Sequence, residues 1–343
     1  MPAKFFSMGV SISDVEEAFL RIQHRLHVTP LLRSTSLVDT AASNCVGIPA
    51  IVDILFKCEN FQHTGSFKFR GATNAVLAFL ETTPNTDVVF VTHSSGNHGQ
   101  ALAKAAKDAN QRCVIVVPSD APTPKLAAME DFGATIVLCE PNQAAREQTC
   151  ARVMAETEAS GRKAVLVLPF DDDRVIAGQG TLGLELASQL PTDVDAVVVP
   201  VGGGGLISGV SLALKAKRPG IKVFGAEPAN ANDAARSFAA KRVQKHTPGQ
   251  PNTIADGLKT TVCDRTLSHI LANVDDIILV TEDEMKRALR LTMERLKVVI
   301  EPSASVGVAT VLFHPEKLRG CTKVAVILCG GNVDLLCLPK LLS

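Results

Sequence analysis

One lysine stands between two phenylalanines in Ser66-Phe67-Lys68-Phe69-Arg70-Gly71. Partial desolvation there would lower the amine's pKa and suit Lys68 to Schiff-base chemistry. The ordinary alternative is a lysine snorkelling from an amphipathic helix. Thr92-His93-Ser94-Ser95-Gly96-Asn97-His98-Gly99-Gln100 places small hydroxyls, an amide and backbone N–H groups ahead of a helix. Such a cup suits a carboxylate, although N-capping alone would also use Ser94 or Ser95. Gly202-Gly203-Gly204-Gly205-Leu206 follows an apolar run, so its N–H groups can converge on an anion at a helix start. A tight packing turn is the plainer use of the same glycines. Cys329-Gly330-Gly331-Asn332 is a second glycine turn after a strand-like run, and Glu227 with Asp233 puts two carboxylates on one loop. That pair suits a divalent cation, where a solvated acidic loop is the alternative. A phosphate, a carboxylate and a lysine amine in one cleft are what a pyridoxal phosphate enzyme acting on an amino acid requires.

Two nucleotide patterns fail. With Gly203 and Gly205 as the first two glycines of G-x-G-x-x-G, Ser208 stands at the third, and no G-K-[ST] occurs.

Positioning these residues needs alternating strands and helices. Strands are expected at 51–58, 88–92, 113–117, 135–139, 165–168, 196–201, 223–226, 277–280 and 324–328. Helices are expected at 13–26 (capped by Ser13), from the Thr64-Gly65-Ser66 cap to about Leu80, and at 97–109, 123–132, 143–159, 206–216, 282–297 and 302–313. Thr29-Pro30 reads as extended. The stretch 234–252, with Pro248-Gly249 and Pro251, reads as a basic loop. Short apolar runs spaced by helices signal parallel sheets covered on both faces. The fold class is therefore α/β with two sheets. The chain enters and leaves a smaller unit, so residues 82–165 form a small domain and 1–81 with 166–343 a large one.

Composition narrows the function. The chain has 343 residues, with 35 Lys+Arg against 35 Asp+Glu, so there is no basic excess for nucleic acid. At 46% hydrophobic and 20% charged it is core-forming, and it contains neither Tyr nor Trp. The longest uncharged run, Ala196 to Leu214, carries Pro200 and five glycines, so no membrane span is expected. The N-terminus shows no signal-peptide core. The nine cysteines are scattered without a Cys-x-x-Cys pair, which favours a reducing cytoplasm.

The lysine motif, the Ser94–Gly99 motif, the tetraglycine and Cys329–Asn332, in that order, resemble the serine racemase and threonine/serine dehydratase family. The resemblance runs from about Thr29 to Leu335 and implies a fold-type-II pyridoxal phosphate enzyme, similar to the tryptophan synthase β subunit. It implies that Lys68 holds the cofactor, Gly202–Gly205 and the Leu206 amide its phosphate, and Asn97 its ring hydroxyl. Phe67 would lie against the ring, and Cys329 would face the pyridine nitrogen. Ser94, Asn97 and His98 would grip the substrate carboxylate, with Arg146 serving closure. Ser95 would be the second acid/base group. Glu227, Asp233 and the Ala231 carbonyl would hold Mg2+ or Ca2+. Thr64, Gln100, Lys297 and Asn332 match an intersubunit ATP site, whereas His63 and Phe132 replace a lysine and a tyrosine there. Phe170 replaces an asparagine near the ring. The implied activity is serine racemisation with elimination from serine or threonine, in a homodimer. A dehydratase for threonine, serine or 3-hydroxyaspartate, or an aspartate racemase, is the alternative.

Overall fold

The computed structural model describes residues 9–84, 86–121, 123–247 and 251–342. The expected Pro248-Gly249 turn and most of the N-terminal segment lie outside them.

Among the described residues ten strands form two sheets: β1 (Leu31–Arg33), β2 (Asp53–Cys58), β3 (Val88–His93), β4 (Arg112–Pro118), β5 (Thr135–Cys139), β6 (Lys163–Leu166), β7 (Ala196–Pro200), β8 (Lys222–Pro228), β9 (Asp276–Val280) and β10 (Lys323–Leu328). The six-stranded sheet has the order β1-β2-β10-β7-β8-β9, and the four-stranded sheet β5-β4-β3-β6. Among these strands the β1–β2 pair is antiparallel and the other pairs are parallel. Both sheets are covered by helices, as the short apolar runs require. In β7 and β10 every apolar side chain is buried, so neither strand alternates.

Parallel order sets the site. Because β2, β10 and β7 are neighbours running one way, the chain after each emerges at one sheet edge. There lie the Lys68 motif, Cys329 and the tetraglycine. The adjacent parallel strands β3 and β6 likewise bring Ser94–Gln100 and Pro169-Phe170 to one edge of the small sheet. Ligand crevices in open α/β sheets lie at such carboxyl ends.

Several local expectations are corrected. The first helix is Ile12–Ile22, capped by Ser11 in a capping box with Asp14, not by Ser13. The lysine helix is Lys68–Thr82, and Phe67 at its cap position makes no side-chain cap bond, so Thr64 and Ser66 do not cap it. The 282–297 helix ends at Leu291 and passes into a π-helical turn, Thr292–Leu296, before Lys297 at φ 63°. β6 lies two residues earlier than expected. Among the described residues five α-helices were not foreseen: Thr35–Ser43, Asp173–Gln189, Asp233–Ala240, Asp264–Asn273 and Leu338–Leu342. The third of them occupies part of the expected basic loop. No described helix is long and apolar enough to cross a membrane.

Candidate active site

Lys68 opens its helix with a partly buried side chain. Its Nζ donates to the Pro169 carbonyl at 2.7 Å and lies 5.1 Å from the centre of the Phe67 ring. Burial pulls its pKa down to about 8, against the opposing pull of Cys329 and Glu301. The helix start is pinned from both sides. Phe67 N donates to Cys329 O at 3.0 Å, and Ser66 bridges Gly330. Arg70, fully buried, donates to both oxygens of Glu59 at 2.8 Å and to Glu185 at 3.0 Å, while the buried Lys57 amine also pairs with Glu185.

Three glycines of the tetraglycine have a conformational or packing reason. Gly204 has φ 87°, a conformation that glycine adopts without strain. A Cβ on Gly203 would stand 2.3 Å from the Phe170 ring. A Cβ on Gly205 would stand 2.9 Å from the Phe170 Cβ, so the packing-turn alternative accounts for three of the four glycines. The same packing holds the loop at the N-terminus of the helix Gly205–Lys217, where free amides and the helix dipole favour an anion. The Cys329 thiol is buried, and burial, then the Glu301 charge, hold its pKa well above the ordinary value, so it stays protonated.

The small-sheet loop reaches across. Asn97 Nδ2 donates to both Glu301 oxygens at 2.9 and 3.0 Å, and its Oδ1 accepts from Asn332 Nδ2 at 2.9 Å. Asn332 Nδ2 also reaches Thr64 O at 2.8 Å. Glu301 was missed from sequence. Its signal is a lone acid before Pro302, which opens an uncharged and almost wholly buried helix. Ser94 Oγ accepts from Gly96 N at 3.3 Å, and Ser95 is partly buried beside it.

His98 is corrected in its manner of acting. Its ring is buried, Nε2 donates to Val167 O at 3.0 Å, and Nδ1 has no partner. Burial, then the Lys68 charge, pull its pKa to about 3, so the ring is neutral. A neutral ring offering a lone pair cannot grip a carboxylate; only the backbone amide of His98 could. Arg146, in the first turn of the helix Gln143–Ala159, has a buried Nε that lacks a partner, and burial, then the Arg146 charge, depress His93 at the end of β3. Of the remaining positions, Thr64 and Gln100 are buried and Lys297 is exposed.

Glu227 and Asp233 are both fully buried. Glu227 accepts the amides of Ala234 and Ala235 at 2.8 and 2.9 Å, and Asp233 Oδ2 accepts Val262 N at 2.9 Å. Asp233 Oδ1 has no hydrogen bond, and the unforeseen His246 Nε2 stands 3.4 Å away. Burial pushes Glu227 up to about 8 and Asp233 to about 6. Two buried carboxylates with one orphaned oxygen fit a cation. Among the described residues no group of three His, Cys, Asp or Glu side chains could hold a metal, so backbone oxygens such as that of Ala231 would have to complete the shell.

Residues 22–330 match the family of pyridoxal-phosphate dependent enzymes. The chain belongs to this family. It is 45% identical to the serine racemase of Dictyostelium discoideum over 97% of this chain and 98% of that protein. The crystal structure of that racemase superposes with a TM-score of 0.84, covering 95% of this chain and 99% of that one. A pyridoxal 5'-phosphate-dependent aspartate racemase is 38% identical with a TM-score of 0.87, covering 99% and 100%. A threonine deaminase from T.th. is 38% identical with a TM-score of 0.83, covering 95% and 99%. The site fits the family's cofactor: a depressed lysine amine, a glycine loop at a helix N-terminus and an uncharged thiol meet at one sheet edge.

Proposed function

We propose that the protein interconverts L- and D-serine and, alongside, eliminates water from serine or threonine to leave a 2-oxo acid and ammonia. The observation that carries this is likeness to serine racemases over nearly the whole chain, with the lysine and hydroxyl loops intact. Pyridoxal phosphate, when bound, draws electrons from the α-carbon of an amino acid and so acidifies its α-proton. Lys68 would hold the cofactor and, when freed, take the α-proton from one face. Ser95 would give a proton from the other face and invert the centre, because one base returns a proton where it found it. Gly202, Gly203, Gly204, Gly205 and the Leu206 amide would hold the phosphate, Asn97 the ring hydroxyl, Phe67 the ring face, and Cys329 the pyridine nitrogen. A protonated thiol leaves that nitrogen less positive than a carboxylate would. Ser94, Asn97 and the His98 amide would hold the carboxylate.

Residues 82–165 would close as the small domain over the substrate, with Arg146 serving closure. Glu227, Asp233 and Ala231 would hold Mg2+ or Ca2+. Thr64, Gln100, Lys297 and Asn332 would form an ATP site between subunits of a cytoplasmic homodimer. The likeness to a threonine deaminase and an aspartate racemase supports the other readings.

Purified protein incubated separately with L-serine, L-threonine and L-aspartate decides among them, with D-isomer and keto acid both measured. D-serine with pyruvate from L-serine is expected. Pyruvate without D-serine would make the protein a dehydratase, and D-aspartate alone an aspartate racemase.

A further inference from the structure

The segment Pro169–Asp173 touches both halves of the site. Pro169 O accepts the Lys68 amine at 2.7 Å. The next residue, Phe170, lies on the tetraglycine: a Cβ on Gly203 would meet its Cδ1 at 2.3 Å and its Cε1 at 2.5 Å, and a Cβ on Gly205 its Cβ at 2.9 Å. On the other side of the loop stands Thr266, 2.8 Å from where a Gly204 Cβ would be. The glycine loop is thus held between two jaws, and the jaws are tied together. Arg265, beside Thr266, donates from Nε to Asp171 Oδ1 at 2.7 Å and pairs through Nη1 with Asp173 at 2.5 Å. Asp172 fixes the remainder by accepting from Arg174 N at 2.9 Å at the start of the helix Asp173–Gln189.

We propose that Phe170 is a positioning residue, which sets the Lys68 amine relative to the glycine loop through the adjoining Pro169 carbonyl and keeps water from the amine. This rests on the reading that Lys68 holds the cofactor. The other groups facing Lys68 are Cys329, Glu301 and His98, and none of them belongs to this segment. Loading of the cofactor reads the amine directly. The Nζ nitrogen bonds the aldehyde carbon, and the aldehyde oxygen leaves as water with both amine protons, so the neutral amine is required.

The test is the growth of visible absorbance when pyridoxal phosphate is added to the cofactor-free protein across a pH series. Borohydride reduction and peptide mapping then locate the label. In the wild type the rate should follow a midpoint near pH 8. Phe170→Ala admits water to the amine and should raise the midpoint by about one unit, slowing loading at pH 7 about tenfold. Phe170→Leu, which keeps an apolar cover, should recover most of the rate. Arg265→Met loosens the segment from outside and should shift the midpoint in the same direction, by less. A folded Phe170→Ala protein with unchanged midpoint and rate overturns the proposal. If that variant fails to fold, an unchanged Arg265→Met midpoint does so. Label on another lysine overturns the Lys68 reading itself, and is distinguished by the peptide map.

Discussion

His98 illustrates how burial decides a residue's chemistry. The sequence shows a histidine in a motif expected to hold a carboxylate; the fold removes its charge by burying the ring against the Val167 carbonyl, just past β6. Its folded pKa, about 3, lies below the 6.5 of an ordinary histidine. The folded state therefore binds fewer protons than the unfolded one. Its contribution to stability is fully present above pH 6.5 and is lost as the pH falls from there toward 3. His98→Gln keeps a donor for Val167 O and removes the titration. Its unfolding free energy, measured by denaturant titration at several pH values, should fall less steeply than the wild type's between pH 6.5 and 4. Equal slopes would show that His98 does not titrate on unfolding. The desolvation of the Lys68 amine was legible from its two phenylalanine neighbours. Glu301 was not, because its importance comes from Asn97, which is 204 residues distant in sequence.

Elements follow the same division. Strands β5, β7 and β10 were readable from their apolar runs. The helix Asp173–Gln189 was hidden because Gly178, Gly180 and Gly183 interrupt its apolar period. The structure explains them by close approach: a Cβ on Gly178 would stand 2.6 Å from the Gly71 Cα, and one on Gly183 2.8 Å from the Ala213 Cβ. The lysine helix is anchored by charges no periodicity exposes. Burial pushes Glu59 up, yet the Arg70 guanidinium holds it below the usual carboxylate range. Arg70→Met would leave Glu59 and Glu185 with only Lys57 between them, at a cost of about 3–5 kcal/mol. Chemical denaturation measures this, and a loss below about 1 kcal/mol would show the network to be dispensable. The helix Asp233–Ala240 was unread because its start is held by Glu227, on a different element. A chelator should lower the melting temperature, and added Mg2+ or Ca2+ should restore it, since a ligand of the folded state alone stabilises it. Asp233→Asn should abolish the response to the cation. A wild-type melting curve indifferent to both chelator and cation would contradict the site.

At the scale of the molecule, two mainly parallel sheets bring the carboxyl ends of their strands together, and the candidate residues divide between them. The six-stranded sheet presents Lys68, the glycine loop and Cys329; the four-stranded sheet presents Ser94, Ser95 and Asn97. Asn97 joins the halves through Glu301 and Asn332. The two-sheet α/β architecture was visible in the alternation of strands and helices. The strand order was not, because β10 inserts between β2 and β7 from the far end of the chain.

Racemisation, as proposed, depends on two proton-carrying groups on opposite faces, Lys68 and Ser95, and a Ser95→Ala variant isolates the second. The measurement is the formation of D-serine and of pyruvate from L-serine, in wild type and variant. With Lys68, the phosphate loop and the leaving hydroxyl untouched, elimination should persist. Racemisation should fall by about 100- to 10,000-fold, the usual contribution of a positioned acid/base group. Elimination from D-serine, whose α-proton would face Ser95, should fall with it. A parallel fall of D-serine and pyruvate from L-serine would contradict the two-base account and reduce Ser95 to a residue that shapes the loop.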